Sequence, residues 1–258
     1  MNICVDVGNT TIIVGVYEND SIVERLSFTT DIIKTDDEYL AIINSQIKDR
    51  HIDVSRVEIL IYSSVVPSLN RPLKSALKRA FKVDKIMVIE PGIKTGLSIK
   101  VDNPNEIGND LIADLVAAKE KYGFPCLIID LGTASKILLL DKNGNFSSCA
   151  IMPGFEVSAN SLFNKAALLP SVSLESKKTI IAKNTVDAMN AGIVFGHADM
   201  IIGMCNRYEK ELGYSLKRIL TGGSSILIRD ILGSDFIYEQ NLTLDGLNYI
   251  IRRNSYEK

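Results

Sequence analysis

The stretch NICVDVGNTTIIVGVYENDSI, from Asn2 to Ile22, lies without a gap over CLIIDLGTASKILLLDKNGNF, from Cys126 to Phe146, at an offset of 124 residues. Asp6 falls on Asp130, Gly8 on Gly132, and Asn19-Asp20 on Asn143-Gly144. Each copy is an apolar strand, a D-x-G-[NT]-[TA] turn, a second apolar strand and an Asn-led turn suited to a hairpin. A third strand follows each, at residues 21–29 and 145–152. A repeat of this length restricts the chain to folds in which one supersecondary unit is built twice.

After each three-strand unit the apolar period changes from two to about 3.6. In the first half, residues 36–49 and 67–81 read as helices, and 56–66 and 85–90 as strands. In the second, 155–169 and 184–212 read as helices, and 216–223 as a short strand ending in glycines. SSILIRDIL then opens another helix, and residues 106–122 form a long helix joining the halves. The expected fold is a duplicated α/β architecture with halves 1–118 and 119–258, a compact boundary, and a cleft between the halves.

Composition narrows the function classes. Hydrophobic content of 46%, charged content of 23% and a net charge of −2 describe a globular chain with no basic field to attract nucleic acid or anionic membrane. MNICVDVGN has no basic n-region before an apolar run, so the expected location is cytoplasmic. Cys4, Cys126, Cys149 and Cys205 form no C-x-x-C pair and read as small buried hydrophobes; no zinc site is expected. His51 reads as part of a solvated loop, His197 as a packed helix residue, and Arg71, Lys74, Lys78 and Arg79 as a wet helix face.

A single D-x-G after a strand is most simply a tight turn whose glycine allows positive φ. Two in register point further. Backbone N–H groups of Gly8, Asn9 and Thr10, with the hydroxyls of Thr10 and Thr11, can surround phosphate oxygens, while Asp6 holds a cation or its waters.

The arrangement resembles the acetate and sugar kinase, Hsp70 and actin superfamily, with LTGGSS (220–225) as its adenosine motif. More narrowly, the chain is similar to type III pantothenate kinases. DVGNT (6–10), SSVVP (63–67), NPNEIGND (103–110), DLGTA (130–134), PGFEVSANSLFNKAALLP (153–170), KNTVDAMNAGIVFG (183–196) and TGG (221–223) carry the likeness in order over almost the whole chain. The resemblance implies actin-like, ribonuclease H-like halves around a nucleotide cleft, and transfer of the ATP γ-phosphoryl group to pantothenate. ATP would contact Asp6, Val7, Gly8, Asn9, Thr10, Thr11, Ile12 and Ile13, with Gly132, Thr133, Gly222 and Gly223. Magnesium would accompany the nucleotide, and a monovalent cation, potassium or ammonium, would sit at Asp130.

The same likeness makes Asp110 the catalytic base and places pantothenate against Val101, Gly108, Asn109, Asp110, Leu111 and Thr185. Plainer readings stand beside it: Asp110 complements a helix dipole, and Thr185 or Asn184 caps the next helix. Family members pair as homodimers, and the apolar stripe Ile193, Val194, Met200, Ile201, Ile202 and Met204 offers either such a surface or ordinary core. Two positions depart from the family pattern. Leu111 replaces an arginine, and Val101 a common tyrosine. These departures make a nucleotide-binding paralogue with a regulatory role, or a kinase for another small hydroxylated acid, the alternative reading.

Overall fold

The two copies open two mixed sheets in a computed structural model that describes residues 1–90, 92–176 and 178–255. In chain order the first elements are β1 (Asn2–Val7), β2 (Thr11–Glu18), β3 (Ser21–Thr29), α1 (Asp36–Asp49), β4 (Ile59–Ser64), α2 (Asn70–Phe81), β5 (Ile86–Val88), β6 (Ser98–Ile99) and α3 (Asn109–Tyr122). There follow β7 (Cys126–Leu131), β8 (Ala134–Leu140), β9 (Asn145–Pro153), α4 (Phe155–Lys165), α5 (Thr185–Leu212), β10 (Lys217–Thr221), α6 (Arg229–Leu232), β11 (Ile237–Tyr238) and α7 (Leu242–Ser255).

The strand order is β3-β2-β1-β4-β5 in one sheet and β11-β10-β7-β8-β9-β6 in the other. Read from β9 to β11, the second repeats the first, with β6 added at the β9 edge. The central strands β1 and β7 each pair antiparallel with the next strand and parallel with a later one. The duplication thus holds at the level of topology. Two compact units result: Met1–Leu97, Asn103–Glu120 and Leu242–Lys258 form one, and Ser98–Asp102 with Lys121–Asn241 the other.

In the first unit, β1 is apolar on both faces because helices cover both. Ile3, Val5 and Val7 meet Tyr39 and Ile43 of α1 and Leu73, Leu77 and Phe81 of α2. Cys4 on the opposite face packs with Ala113 and Val116 of α3 and with Leu244, Leu247 and Ile250 of α7. Residues 242–255, grouped by sequence with the second half, therefore belong to the first. Helix α1 starts with a complete capping box between Thr35 and Glu38. On α2, Leu73, Ala76, Leu77 and Ala80 are buried at helical spacing, while Arg79 pairs with Asp37 at 2.7 Å. Lys74 is not simply wet: its Nζ lies 4.7 Å from the Tyr62 ring centroid.

In the second unit, Leu127, Ile129 and Leu131 of β7 pack with Phe155 and Ala159 of α4 and with Val194, Ala198, Ile201 and Cys205 of α5. Helix α5, at 28 residues, is long and apolar enough to cross a membrane by length and composition. Ile193, Val194 and Ile201 from its stripe nevertheless lie in this core, with Met200, Ile202 and Met204 partly buried against it. The helix expected after the glycines is a 3-10 turn, Gly223–Leu227, and the four residues of α6, which stop at Gly233. Cys4, Cys126 and Cys205 are buried, but Cys149 is exposed, because outward-facing positions alternate along β9. Burial pushes the Cys126 and Cys205 thiols up to about 12, so neither is a nucleophile at neutral pH.

Candidate functional site

Both acid-glycine turns close on themselves. The Gly8 N–H donates to the Thr11 carbonyl at 3.0 Å, and the Gly132 N–H to the Ala134 carbonyl at 3.2 Å. The Gly8 amide expected to face phosphate is therefore used within its own hairpin, leaving Asn9 and Thr10, both exposed, at the tip. The flanking strands differ by one residue. Val7 pairs with Ile12 but Leu131 with Ser135, so the second turn is one residue shorter. The gapless overlay consequently slips within the hairpin, and Ile13 corresponds to Lys136 rather than Ile137. Burial agrees: Thr11–Tyr17 and Ala134–Leu140 follow the same inward and outward pattern.

Asp6, one residue before the end of β1, lies beside Ser63 of β4, whose hydroxyl donates to Asp6 Oδ1 at 3.2 Å. The SSVVP motif anchors this end of the sheet. The Val65 N–H donates to the Val7 carbonyl at 3.0 Å, and the Val66 N–H to Ser64 Oγ at 3.1 Å. Thr30 Oγ1 donates to the Gly8 carbonyl at 2.7 Å, holding the turn from β3's side. Val7 and Ile12 have fully buried side chains in the core, so only their backbones can meet a ligand. Ile13 lies half-buried on the opposite face.

Two glycines frame the second turn. Gly154, which leads into α4, donates its N–H to the Thr133 carbonyl at 3.2 Å, and a Cβ there would collide with the Gly132 and Thr133 carbonyls. Gly222 holds φ at +90°, and a Cβ would stand 2.6 Å from Asp130 Oδ1 and against the backbone of Leu131. Only glycine permits both the angle and the approach. The Ser225 N–H donates back to the Gly222 carbonyl, which closes the loop containing Gly223. Beside this frame, Lys136 Nζ lies 2.8 Å from Asp130 Oδ2. The pair is largely enclosed, with side chains 20% and 14% exposed. Ser63 and Gly154 lie in the SSVVP and PGFEV motifs without a role read from them, while Lys136 and Thr30 carry no motif; the one sequence signal for Lys136 is a lone charge inside the apolar strand ASKILLL.

Asp110 sits in the first turn of α3, half-buried, its carboxylate folded back over Gly108 so closely that a Cβ on Gly108 would collide with Oδ1. Asn109 begins the helix beside it. Leu111 is only 8% exposed, so its side chain packs largely inward. Val101 lies half-buried in the second unit, just after β6. At α5 the two cap candidates separate. Asn184 Oδ1 accepts from the Asp187 N–H at 2.9 Å, while Thr185 follows at the first helical position with its side chain exposed. His197 is a packed residue, stacked on Phe155 with ring centroids 4.2 Å apart, and its Nδ1 is 2.8 Å from the Ile193 carbonyl. Among the described residues no three His, Cys, Asp or Glu side chains cluster to hold a metal.

Comparison with known proteins fits this geometry. A model of the type III pantothenate kinase family matches residues 2–207. A type III pantothenate kinase from Exiguobacterium sibiricum is 39% identical over 254 residues, spanning 98% of this chain and 100% of that protein. Among solved structures, the activator of 2-hydroxyisocaproyl-CoA dehydratase from Clostridium difficile, with bound ADPNP, is similar at a TM-score of 0.53 and 14% identity, covering 98% of this chain and 96% of that one. Ta0583, an archaeal actin homolog, matches at 0.50 and 12% identity over 98% of this chain and 99% of its own. These structural likenesses establish an actin-like fold.

Proposed function

The chain belongs to the type III pantothenate kinase family, and from that premise we propose how its own residues perform the reaction. The protein phosphorylates pantothenate at the expense of ATP, giving 4'-phosphopantothenate for coenzyme A biosynthesis. The observation that carries this reading is the repeated hairpin whose first strand has an aspartate at its penultimate position, found within a chain related to such kinases over 98% of its length. Phosphoryl transfer has a loose transition state, so positioning and charge neutralisation dominate over covalent chemistry.

In the first unit, the exposed Asn9 and Thr10 and the half-buried Thr11 supply amides and hydroxyls to phosphate oxygens. Asp6, an oxygen donor oriented by Ser63, suits a hard cation and would hold magnesium or its waters. When bound, magnesium supplies positive charge to the nucleotide phosphates. In the second unit, Thr133 faces phosphate, and Gly222 and Gly223 bring backbone close to the adenosine. Asp110 accepts the proton of the pantothenate hydroxyl, and the glycine at 108 leaves room for the carboxylate to take that position. Asn109 and Thr185 contact pantothenate, Thr185 freely so because Asn184 provides the cap. With Leu111 buried, no guanidinium stands at that position, and the acid group of pantothenate is recognised without it. The expected monovalent cation at Asp130 does not fit as simply, since the Lys136 ammonium already meets that carboxylate.

We further propose a cytoplasmic homodimer. Steady-state turnover tests the function: ADP release must depend on pantothenate, and a pantothenate analogue lacking the primary hydroxyl must not support it.

A further inference from the structure

Asp130 and Lys136 are direct cross-strand partners in the β7–β8 hairpin. The equivalent pair in the first unit is Asp6 and Ile13, so the basic side chain belongs to the second turn alone. Its Nζ is 2.8 Å from Asp130 Oδ2, and both side chains are mostly shielded from water. The other carboxylate oxygen faces Gly222, whose missing Cβ would otherwise stand 2.6 Å from it. The hairpin tip beyond the pair is Gly132-Thr133, held by Gly154.

An alkylammonium carries one positive charge, as ammonium ion does, and three N–H donors to that ion's four, and a tethered group competes with dissolved ions at high effective concentration. We propose that the Lys136 ammonium is the built-in monovalent cation of this phosphate turn, so that nucleotide binding and phosphoryl transfer need no added potassium or ammonium. The inference rests on the kinase reading above. Lys136 orients Asp130 and adds positive charge where the nucleotide phosphates collect.

The test measures nucleotide affinity by calorimetry and pantothenate phosphorylation, with magnesium, in potassium, ammonium and choline chlorides at one ionic strength. Wild-type dissociation constants and kcat/KM should agree within about twofold across the three salts. Lys136→Met, which keeps the apolar stem, should bind nucleotide about tenfold or more weakly in choline and recover in potassium or ammonium. Lys136→Arg should keep the salt independence. A wild-type nucleotide affinity or turnover that rises about tenfold with potassium would overturn the proposal. So would a Lys136→Met protein that matches wild type in choline, or that no monovalent cation rescues. If thermal melts show that Lys136→Met does not fold, the wild-type salt series decides alone. Absence of pantothenate phosphorylation in every salt would contradict the kinase reading instead, and the nucleotide-affinity series would still decide Lys136.

Discussion

Ser63 Oγ donates to Asp6 Oδ1 at 3.2 Å across the parallel pair of β1 and β4, tying the SSVVP motif to the aspartate at the first phosphate turn. A hydrogen bond to a carboxylate contributes about 1.5–3 kcal/mol, but water can partly replace a hydroxyl that is removed. Ser63→Ala should therefore raise the KM for magnesium-ATP by about fivefold to tenfold, with the pantothenate KM unchanged. Equal rises in both constants would mean that Ser63 acts on the fold rather than on Asp6.

Gly222 is held at φ +90° against the backbone of Leu131. Gly222→Ala should destabilise the protein by about 2–4 kcal/mol and weaken nucleotide binding, whereas Gly223→Ala, with open space at its Cβ, should fold normally. Thermal melts with and without ATP check both. A normal melt for Gly222→Ala would show that the loop tolerates a side chain.

Asn184 and Thr185 adjoin each other at the start of α5 but are expected to respond differently. Asn184→Ala removes a cap and should cost about 1 kcal/mol of stability. Thr185→Val should leave the melting temperature unchanged while raising the pantothenate KM about tenfold. If Thr185→Val instead changes only stability, the residue has no part in binding.

Burial alone would raise the Glu239 carboxyl, but hydrogen bonds from Lys121 and Tyr122 outweigh it and hold the group below its usual 4.5. Tyr122 donates at 2.8 Å, and Lys121 forms an ion pair with the same oxygen. Because the folded pKa is depressed, this stabilisation is fully present above 4.5 and is lost as pH falls through the lower, folded value. Glu239→Gln should therefore be less stable than wild type at neutral pH, with the gap closing in acid. Melting temperatures across pH 7 to pH 3 supply the check; a constant gap would exclude this linkage.

Strands, turns and amphipathic helices were legible because they depend on local period: β3, α1 and α5 begin and end within one residue of their expected limits, and α2 begins three residues late, after a 3-10 turn at Pro67–Leu69. Helix α7 was missed because LTLDGLNYIIRRNS interrupts its apolar face with Gly246 and Asn248, and its helical form rests on tertiary packing against Cys4 and Ile61. The one-residue slip between Ile13 and Lys136 was hidden for a different reason. Both second strands are apolar enough to align in either register, and only the paired backbones and the burial pattern distinguish them. Site aspartates stood out as charges at strand ends, whereas the committed amides of Gly8 and Gly132, the inward turn of Leu111 and the partnering of Asp130 by Lys136 are three-dimensional facts.

The central claim is that this chain phosphorylates pantothenate with Asp110 as base. Mass spectrometry of 4'-phosphopantothenate formed from ATP and pantothenate, for wild type and Asp110→Asn, tests it most directly. Wild type should form product in step with ADP, while Asp110→Asn should lose about 100-fold to 10,000-fold in turnover and bind ATP as before. No product from folded, ATP-binding wild type, or near-normal turnover by Asp110→Asn, would contradict it.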